Sequence, residues 1–370
     1  MTMPIEPILI DLPRRAGLVI LAAAFIVASA LVANAGPGRA GDGAGSAFGP
    51  VLVKEGRSQR QCESDPQRVF VRHVYGTACI AYFTTRGHER KSSAVVFMDG
   101  DSTPEAFADA AGRRRTRQAM EKILQNLADQ QQVRIVMLYR LGLDGSSGNH
   151  AERRRPFELH AMQAAIDELK GRLRFEDVVL AGQSGGATLA ASMLTLGRAD
   201  VTCAALGSGA YALGALVHAS LAEGTRAAVS RRAIDAIIHD PSRHIAGIPT
   251  DRRRTVFVIG DRRDGTTPFA QQRRFAEALN DAGHHAELVA VRATGEEKHG
   301  TAGYALRAAA LCARRAPAAE IVAELSDISD RIVAAAEPTQ PVVSASAGAS
   351  ASVRSSGAPG SARAPLSRQP

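Results

Sequence analysis

The feature that most constrains the fold of this 370-residue chain is an alternation of short apolar runs with stretches of helical periodicity. Continuous apolar runs, which are typical of strands covered on both faces, occupy residues 94–98, 133–138, 178–181, 201–206, 256–259 and 286–291. Between and after them, apolar residues recur at i, i+3 and i+4 in residues 115–129, 160–173, 187–196, 269–282 and 301–314. Strands joined by helices lie parallel in one sheet, so the alternation predicts a parallel, doubly wound sheet.

Two further β-rich runs precede this alternation, at residues 69–75 and 79–84, with Gly76 in the turn between them. They are close enough in the chain to form an antiparallel start to the sheet. The sequence therefore predicts the α/β class, with a mostly parallel eight-stranded sheet flanked by helices. Residues 212–254 are too long for a simple crossover and too helical for a plain loop, so we expect a small helical cap insertion there.

The amino-terminal residues have the order of a secretory signal peptide. An apolar run at residues 18–32 follows Arg14 and Arg15 and leads to small residues that end at Ala35. The run is shorter than the ~20 residues that a membrane-spanning helix needs. We therefore expect residues 1–35 to be cleaved during export to the periplasm or the medium, without stable membrane insertion. A permanent amino-terminal membrane anchor is the alternative.

Composition separates a folded body from its two flanks. Residues 36–56 are rich in glycine and other small residues, and residues 337–370 are dominated by Ala, Ser, Pro, Gly and Arg. Such segments bury too little apolar surface to offset the entropy of ordering the chain. We expect a flexible linker, one α/β domain over residues 57–336, and a disordered carboxy-terminal tail.

The chain has four cysteines. Cys62 and Cys79 flank a short segment, and a bridge between them fits an oxidising compartment and contributes about 3 kcal/mol in the chain-entropy model. Cys203 lies in an apolar strand and Cys312 on a late helix, so we expect both to be buried thiols that act as small hydrophobic side chains. The spacing of the four cysteines matches no metal-binding motif.

The formal net charge of +8 is compatible with a polyanionic partner. The basic residues, however, form separate clusters at 113–115, 153–155 and 252–254 rather than one stripe. The chain has no Trp and only 4% aromatic residues, which argues against a stacking surface for single-stranded nucleic acid. The sequence therefore predicts no nucleic-acid partner.

The strongest catalytic motif is a serine in a strand–turn–helix context. The apolar run 178–181 leads into Gly-Gln-Ser-Gly-Gly at residues 182–186, and a helical stretch follows directly. Glycines flank the serine because it must stand on a sharp, strained turn with its hydroxyl clear of the sheet. Ser184 is therefore a candidate nucleophile, and the Gly185 N–H is a candidate oxyanion donor at a helix N-terminus. The alternative is a tight turn with an inert serine.

With this motif the chain resembles the α/β-hydrolase family over residues 68–315. The resemblance implies the α/β-hydrolase fold and a serine-hydrolase mechanism. From residue 240 onward, through Asp264 to residues 298–300, the chain looks most like the prolyl-oligopeptidase and dienelactone-hydrolase-like branches. The family order of nucleophile, acid and base places the acid after the seventh strand and the base after the eighth.

Two carboxylates follow the predicted seventh strand. Asp264 is the preferred acid because Pro268 follows it as in the D-x-x-x-P turn of the family. Asp261 lies nearer the strand end and is the alternative, with bracing of the loop as its other role. An acid at this place holds the imidazole in the right tautomer and stabilises the imidazolium. A solvated turn carboxylate without function is the remaining alternative for either residue.

His299 is the candidate base because it follows the predicted eighth strand and so lies at the same sheet edge as Ser184. His284 and His285 precede that strand and emerge at the opposite edge, too far from the serine for a hydrogen bond. A loop histidine without function is the alternative reading of His299.

The third strand ends at the place where the family has its second oxyanion donor, commonly just after a His-Gly pair. Here the pair is Asp99-Gly100, and by position the donor is the backbone N–H of Asp101. A carboxylate near a developing oxyanion opposes catalysis, so the Asp101 side chain should turn away or be paired. The Gly/Ser-rich residues 139–150 follow the fourth strand and either line a substrate pocket or form a plain surface connection.

These features predict an exported serine hydrolase that cleaves a small ester or a peptide through an acyl-enzyme intermediate. No metal or organic cofactor is expected. A non-catalytic binding protein of the cell envelope with the same fold is one alternative, since fold alone does not guarantee function. An envelope protein that acts mainly through its tail is another.

Overall fold

The structure, a computed structural model, describes residues 57–101, 117–221 and 223–336. The predicted signal peptide, linker and carboxy-terminal tail lie outside these ranges. Within them, no helix is both long enough and apolar enough to cross a membrane.

The centre of the described chain is one eight-stranded sheet with the strand order β1-β2-β4-β3-β5-β6-β7-β8. The strands are β1 (Arg68–His73), β2 (Gly76–Thr84), β3 (Ser93–Met98), β4 (Arg134–Leu138), β5 (Asp177–Gln183), β6 (Val201–Gly207), β7 (Thr255–Gly260) and β8 (His285–Ala290). Strand β2 runs antiparallel to β1 and β4, and the other neighbouring pairs are parallel. This topology is the α/β-hydrolase fold, so the predicted fold class is confirmed.

Helices cover both faces of the sheet. They are α1 (Gln59–Glu63), α2 (Arg117–Gln131), α3 (Pro156–Leu173), α4 (Gly185–Thr195), α5 (Leu213–Ser220), α6 (Glu223–Ala228), α7 (Arg231–Asp235), α8 (Phe269–Asp281), α9 (Ala302–Ala313) and α10 (Ala318–Ala336). Buried residues of α3, α4 and α8 form one core with the sheet, and those of α2, α9 and α10 form another on the opposite face. The result is a three-layer molecule with two hydrophobic cores.

The central strands are continuously apolar because both of their faces are covered. In β3, Val96 and Met98 belong to one core, whereas Val95 and Phe97 belong to the other. All five residues of β4 are buried, in contrast to the alternating exposure of the edge strand β1. This burial explains why runs without alternation predicted parallel strands.

Helices α1, α3 and α10 differ from the prediction, and α1 is a short helix that was not predicted. Helix α3 begins at Pro156, because proline suits the first turn of a helix, where its missing N–H has no partner to lose. Helix α10 was not predicted at all. It buries Ile321 and Leu325 on the sheet, and its Ser329 Oγ accepts a hydrogen bond of 2.9 Å from the Arg292 N–H. This last helix completes the layer over β8.

The segment between β6 and β7 is helical and has a small core of its own. It contains α5, α6 and α7, and its core includes Leu213, Val217, Ile234 and Ile238. A short 3₁₀ turn at Ile245–Gly247 packs it against α4, the helix that follows the candidate nucleophile. Its role as a cap over the site stays a prediction.

Two disulfide bridges cross-link the described chain. Cys62 and Cys79 are bonded, as predicted. The prediction for Cys203 and Cys312 is wrong, since they form a second bridge between β6 and α9. These cysteines are separated by 109 residues, and packing of α9 on the sheet brings their Cα atoms to 6.2 Å. Nothing local in the sequence indicates that proximity.

His73, His150 and His239 are partly buried histidines that make the stability of the fold sensitive to acid, and the first and last of them serve as the test. Burial, and secondly the charge of His160, lowers the pKa of His73 to about 4. Burial, followed by the charges of His244 and His160, lowers the pKa of His239 to about 4. Between these pKa values and the pKa of about 6.5 that a histidine has in an unfolded chain, both side chains bind fewer protons in the folded state than in the unfolded state. The stability they contribute is present above this value and is lost as the pH falls from there toward 4.

We expect the free energy of unfolding, measured by urea titration, to fall as the pH is lowered from 6.5 to 4.5. The His73→Gln and His239→Gln variants should show a shallower fall, because each removes one proton-binding group of the unfolded state. Ser326→Ala, at an exposed position that does not titrate, is the control and should keep the wild-type slope. Equal slopes in all four proteins would contradict this prediction.

Candidate active site

Ser184 lies on a sharp turn between β5 and α4. Its backbone has φ 53° and ψ −121°, a conformation that a residue with a side chain adopts only when its surroundings enforce it. The Ser184 N–H donates to the Gly207 carbonyl at 2.8 Å, which ties the turn to β6. A Cβ atom at Gly186 would collide with the Met98 carbonyl, so glycine is required there. The close approach of β3 and α4 therefore explains this part of the motif.

The Gly185 N–H stands at the N-terminus of α4 and donates to no described residue. A Cβ atom at Gly185 would collide with the Asp101 carboxylate, and one at Gly100 would lie 3.1 Å from the Ser184 Cβ. The end of β3 thus packs directly against the serine turn. Both candidate oxyanion donors, Gly185 and Asp101, belong to these two contacting segments.

Asp264 and His299 form a direct pair. The Nδ1 atom of His299 lies 2.9 Å from Oδ2 and 3.0 Å from Oδ1 of Asp264. Backbone N–H groups of Thr266 and Thr267 donate to Oδ1, both at 2.9 Å. Burial pushes the pKa of Asp264 up, but the His299 hydrogen bond and charge and these two N–H groups hold the pKa below its usual value. Asp264 is therefore an ionised, oriented acceptor for the imidazole.

His299 also contacts the segment that carries the serine. Its carbonyl accepts a hydrogen bond of 3.0 Å from Nε2 of Gln183, the residue before Ser184. Its own ring Nε2 is buried and has no hydrogen-bond partner among the described residues. With Nδ1 held by Asp264, Nε2 is the nitrogen that is free to accept a proton. The structure shows no hydrogen bond between Nε2 and Ser184 Oγ, a contact that often tightens only when substrate is bound.

The alternative acid, Asp261, is occupied elsewhere. Its carboxylate bonds to the Arg263 guanidinium at 2.8 and 3.0 Å and accepts the Ala293 N–H at 2.9 Å. Burial raises the pKa of Asp261, but the Arg263 and Ala293 hydrogen bonds outweigh it and lower the pKa to about 2. Asp261 thus braces the turn after β7 against the end of β8.

The alternative histidines lie at the other end of β8. His285 is the first residue of this strand, and its ring lies 3.1 Å from Thr255 Oγ1 and 3.0 Å from Glu287 Oε1. His284 directly precedes it. Neither residue shares the edge that carries Ser184, which follows the last residue of β5.

The Asp101 carboxylate is paired rather than free. Arg140 Nη1 lies 2.7 Å from Oδ1, Arg153 Nε lies 3.1 Å from Oδ2, and Arg154 also contacts Oδ2. Burial raises the pKa of Asp101, but the charges of Arg154, Arg140 and Arg153 outweigh it and keep the pKa far below its usual value. The Arg140 guanidinium continues to Glu158, with bonds of 2.9 and 3.0 Å. We call these five residues the Asp101 cluster.

The sequence predicted that the Asp101 carboxylate turns away or is paired, but it did not identify the partners in the Asp101 cluster, and it missed one more contact. Its arginines are 39 to 53 positions from Asp101 in the chain, so no spacing signal connects them. The hydroxyl of Thr267 lies 3.0 Å from Oδ2 of Asp264 and also 3.3 Å from Nε2 of Gln272. The position of Thr267 three residues after Asp264 could have indicated this contact from the sequence.

Residues 139–150, the candidate pocket loop, are pinned to β2 in part. Ser146 Oγ accepts the Ala81 N–H at 2.9 Å, and Ser147 Oγ accepts the Cys79 N–H at 2.9 Å.

No group of three or more His, Cys, Asp or Glu side chains in the described ranges could hold a metal ion.

No protein-family model and no curated protein matches this sequence. Among solved structures, Est1E from Butyrivibrio proteoclasticus matches with TM-score 0.46 at 11% identity, covering 67% of this chain and 98% of that one. An esterase of Pyrococcus furiosus matches with TM-score 0.43 at 12% identity, covering 75% and 94%. Pyrococcus horikoshii acylaminoacyl peptidase matches with TM-score 0.44 at 17% identity, and the match covers 64% of this chain but only 37% of the peptidase.

These likenesses are distant, and the fold assignment depends on the strand order of the sheet itself. The chain has the α/β-hydrolase fold. A serine on the turn after β5 and a His–Asp pair in the loops after β7 and β8 lie at one edge of that sheet.

Proposed function

We propose that this protein is a serine hydrolase that cleaves an ester or amide bond through an acyl-enzyme intermediate. The observation that carries the proposal is the pairing of His299 with Asp264. The pairing leaves Nε2 of His299 without a partner among the described residues. The His299 backbone is also hydrogen-bonded to Gln183, the residue before Ser184. A serine hydroxyl is a weak nucleophile until a base takes its proton, and this arrangement supplies such a base.

In the proposed first step, His299 Nε2 accepts the Ser184 hydroxyl proton as Oγ attacks the substrate carbonyl carbon. The carbonyl oxygen becomes an oxyanion, and the imidazolium is stabilised by the ionised Asp264. The imidazolium then donates its proton to the leaving alcohol or amine, and the acyl-serine remains. Water, deprotonated by the same nitrogen, attacks the acyl-serine and releases the acid, which restores the Ser184 hydroxyl.

The oxyanion is proposed to bind the backbone N–H groups of Gly185 and Asp101. The Gly185 N–H has no acceptor in the described part of the chain and belongs to a helix N-terminus, which favours negative charge. The Asp101 carboxylate is neutralised by three arginines, so it does not oppose charge on the oxyanion. Each donor of this kind is worth about 3 to 4 kcal/mol in comparable sites.

We also propose that the protein acts outside the cytoplasm, in the periplasm or the medium. The apolar run at residues 18–32, which small residues up to Ala35 follow, supports this location. Two disulfide bridges in the described chain fit an oxidising compartment. A small ester or a peptide is the proposed substrate, and the resemblance to prolyl-oligopeptidase-like branches keeps peptides among the candidates.

A fluorophosphonate probe, which reacts with activated serines, tests the proposal. We expect the folded wild type to be labelled and Ser184→Ala to remain unlabelled, because Ser184 is the hydroxyl that the proposed His299 base activates. Ser326→Ala, on the exposed side of α10, is the control and should label like the wild type. A folded wild type that takes no label would favour the non-catalytic binding protein.

A substrate panel tests the bond type. p-Nitrophenyl esters of graded chain length, assayed beside aminoacyl and peptidyl amides, separate an esterase from a peptidase. Hydrolysis of either set that disappears in Ser184→Ala supports the proposed mechanism.

A further inference from the structure

A cavity of 480 Å³ lies at the sheet edge opposite the serine turn. It is bounded by the end of β2, the start of β4 and the end of α3. Ser184 follows the last residue of β5, which is parallel to β3 and so, through β3, to β4. The cavity is therefore at the beginning of the parallel strands, whereas the candidate active site is at their end.

The walls of this cavity are strongly basic. Its charged lining residues are Arg86, Arg134, Arg172, Arg174 and Glu89, which together carry a formal charge of +3. None of the four arginines forms an ion pair with a carboxylate in the described ranges. Glu89 instead accepts the Gly87 N–H at 2.9 Å. Glu89 is the one carboxylate of the lining and its charge acts on Arg134, so the positive charge of the cavity is only partly offset.

Arg134 is the residue that makes this cavity unusual. It is only 2% exposed, and its guanidinium donates one hydrogen bond to the described chain, from Nη1 to the Leu173 carbonyl at 2.6 Å. A guanidinium has five N–H donors, and the Glu89 carboxylate, whose charge acts on Arg134, forms no ion pair with it. Arg134 therefore keeps hydrogen-bonding capacity that no residue of the described ranges uses.

Arg254 shows how this chain satisfies a buried arginine that has only a structural role. It is 3% exposed, and all three of its guanidinium nitrogens donate to backbone carbonyls, those of Val201, Pro249 and Ala199 at 2.7, 2.9 and 3.4 Å. The two arginines are similarly buried, but all three guanidinium nitrogens of Arg254 donate hydrogen bonds, whereas Arg134 donates from Nη1 alone within the described chain. Arg134 also faces a cavity, which Arg254 does not line.

We propose that this cavity is a binding site for a small polyanion whose phosphate or carboxylate oxygens pair with Arg134. The planar guanidinium suits bidentate contact with either group. Arg174 and Arg86 are exposed at the cavity and add charge for a ligand with at least two negative charges. The volume lies within the range of about 300 to 1,000 Å³ that small-molecule sites occupy.

Calorimetric titration of the purified Ser184→Ala protein with pyrophosphate and with citrate tests this site without hydrolysis. We expect saturable binding of one anion per chain, weakened at least tenfold in Arg134→Met and in Arg174→Met. Because Arg174 is exposed, its variant keeps the test valid if Arg134→Met does not fold. Arg253→Met, 93% exposed and outside the cavity, is the control and should bind like its parent.

The two anions separate the two ligand classes: stronger pyrophosphate binding indicates phosphate and stronger citrate binding indicates carboxylate. Either result supports the proposed site if the Arg134→Met or the Arg174→Met variant no longer binds the preferred anion. No saturable binding of either anion, or binding that both cavity variants retain, would overturn the proposal. Probe labelling of Ser184 is unaffected by these outcomes, so the test is independent of the proposed hydrolase activity.

Discussion

The Asp264→Asn variant is expected to lose about 10⁴-fold in kcat while KM changes little. The asparagine amide cannot stabilise the imidazolium, and its N–H₂ group favours the wrong tautomer of His299, in which Nε2 carries the proton. Because Thr266 and Thr267 would still donate to the remaining carbonyl oxygen, the turn should keep its shape. Steady-state hydrolysis of the best p-nitrophenyl ester measures the loss, and circular dichroism checks the fold.

Asp261→Asn is the matched control, three residues earlier in the same turn. Its carboxylate bonds to Arg263 and to the Ala293 N–H and makes no contact with His299. We expect kcat within about tenfold of the wild type, an effect of at most about 1.4 kcal/mol on the barrier. If Asp261→Asn lost the larger factor and Asp264→Asn the smaller, the assignment of the acid would be wrong.

Strand positions were predictable because their signal is local. Strands β3 to β7 are covered on both faces, and such burial requires the continuous apolar runs that the sequence displays. The strand order was not predictable in the same way. The position of β4 between β2 and β3 depends on which edges pair, and nothing in a single run of residues records that choice.

The placement of Ser184, Asp264 and His299 was predictable for a topological reason. Each follows the end of a strand, and the ends of parallel strands share one edge of a sheet. Alternation of strands and helices was therefore enough to bring the three loops to that edge. Direct contact of His299 with Asp264 depends further on β7 and β8 being neighbours, which only the structure establishes.

Contacts between distant polar residues were not predictable. Arg153 and Arg154 belong to a run of arginines that looks like a solvated surface cluster, yet both bond to Asp101. The Cys203–Cys312 bridge was missed for the same reason, because it joins a strand to a helix 109 residues later. Pairing of this kind is decided by packing rather than by local pattern.

The Asp101 cluster leads to the second large expected effect. Asp101→Asn removes the carboxylate that Arg140, Arg153 and Arg154 share, and Glu158 alone remains to neutralise them. Removing one partner of a buried ion pair costs about 3 to 5 kcal/mol because the remaining charge stays uncompensated. We expect a loss of unfolding free energy of this order in urea titrations.

The same substitution should lower kcat of the folded protein, by up to about 10² to 10³-fold, because the segment that carries the Asp101 N–H loses its anchor beside Gly185. Asp167→Asn is the stability control, since its pair with Arg198 has a carboxylate that is 67% exposed and is worth at most about 1 kcal/mol. The double variant Asp101→Asn/Arg154→Met removes one uncompensated charge and should recover part of the lost stability. If Asp101→Asn were as stable and active as Asp167→Asn, the arginines would be satisfied by water, and the cluster would have no part in holding the end of β3 against the serine turn.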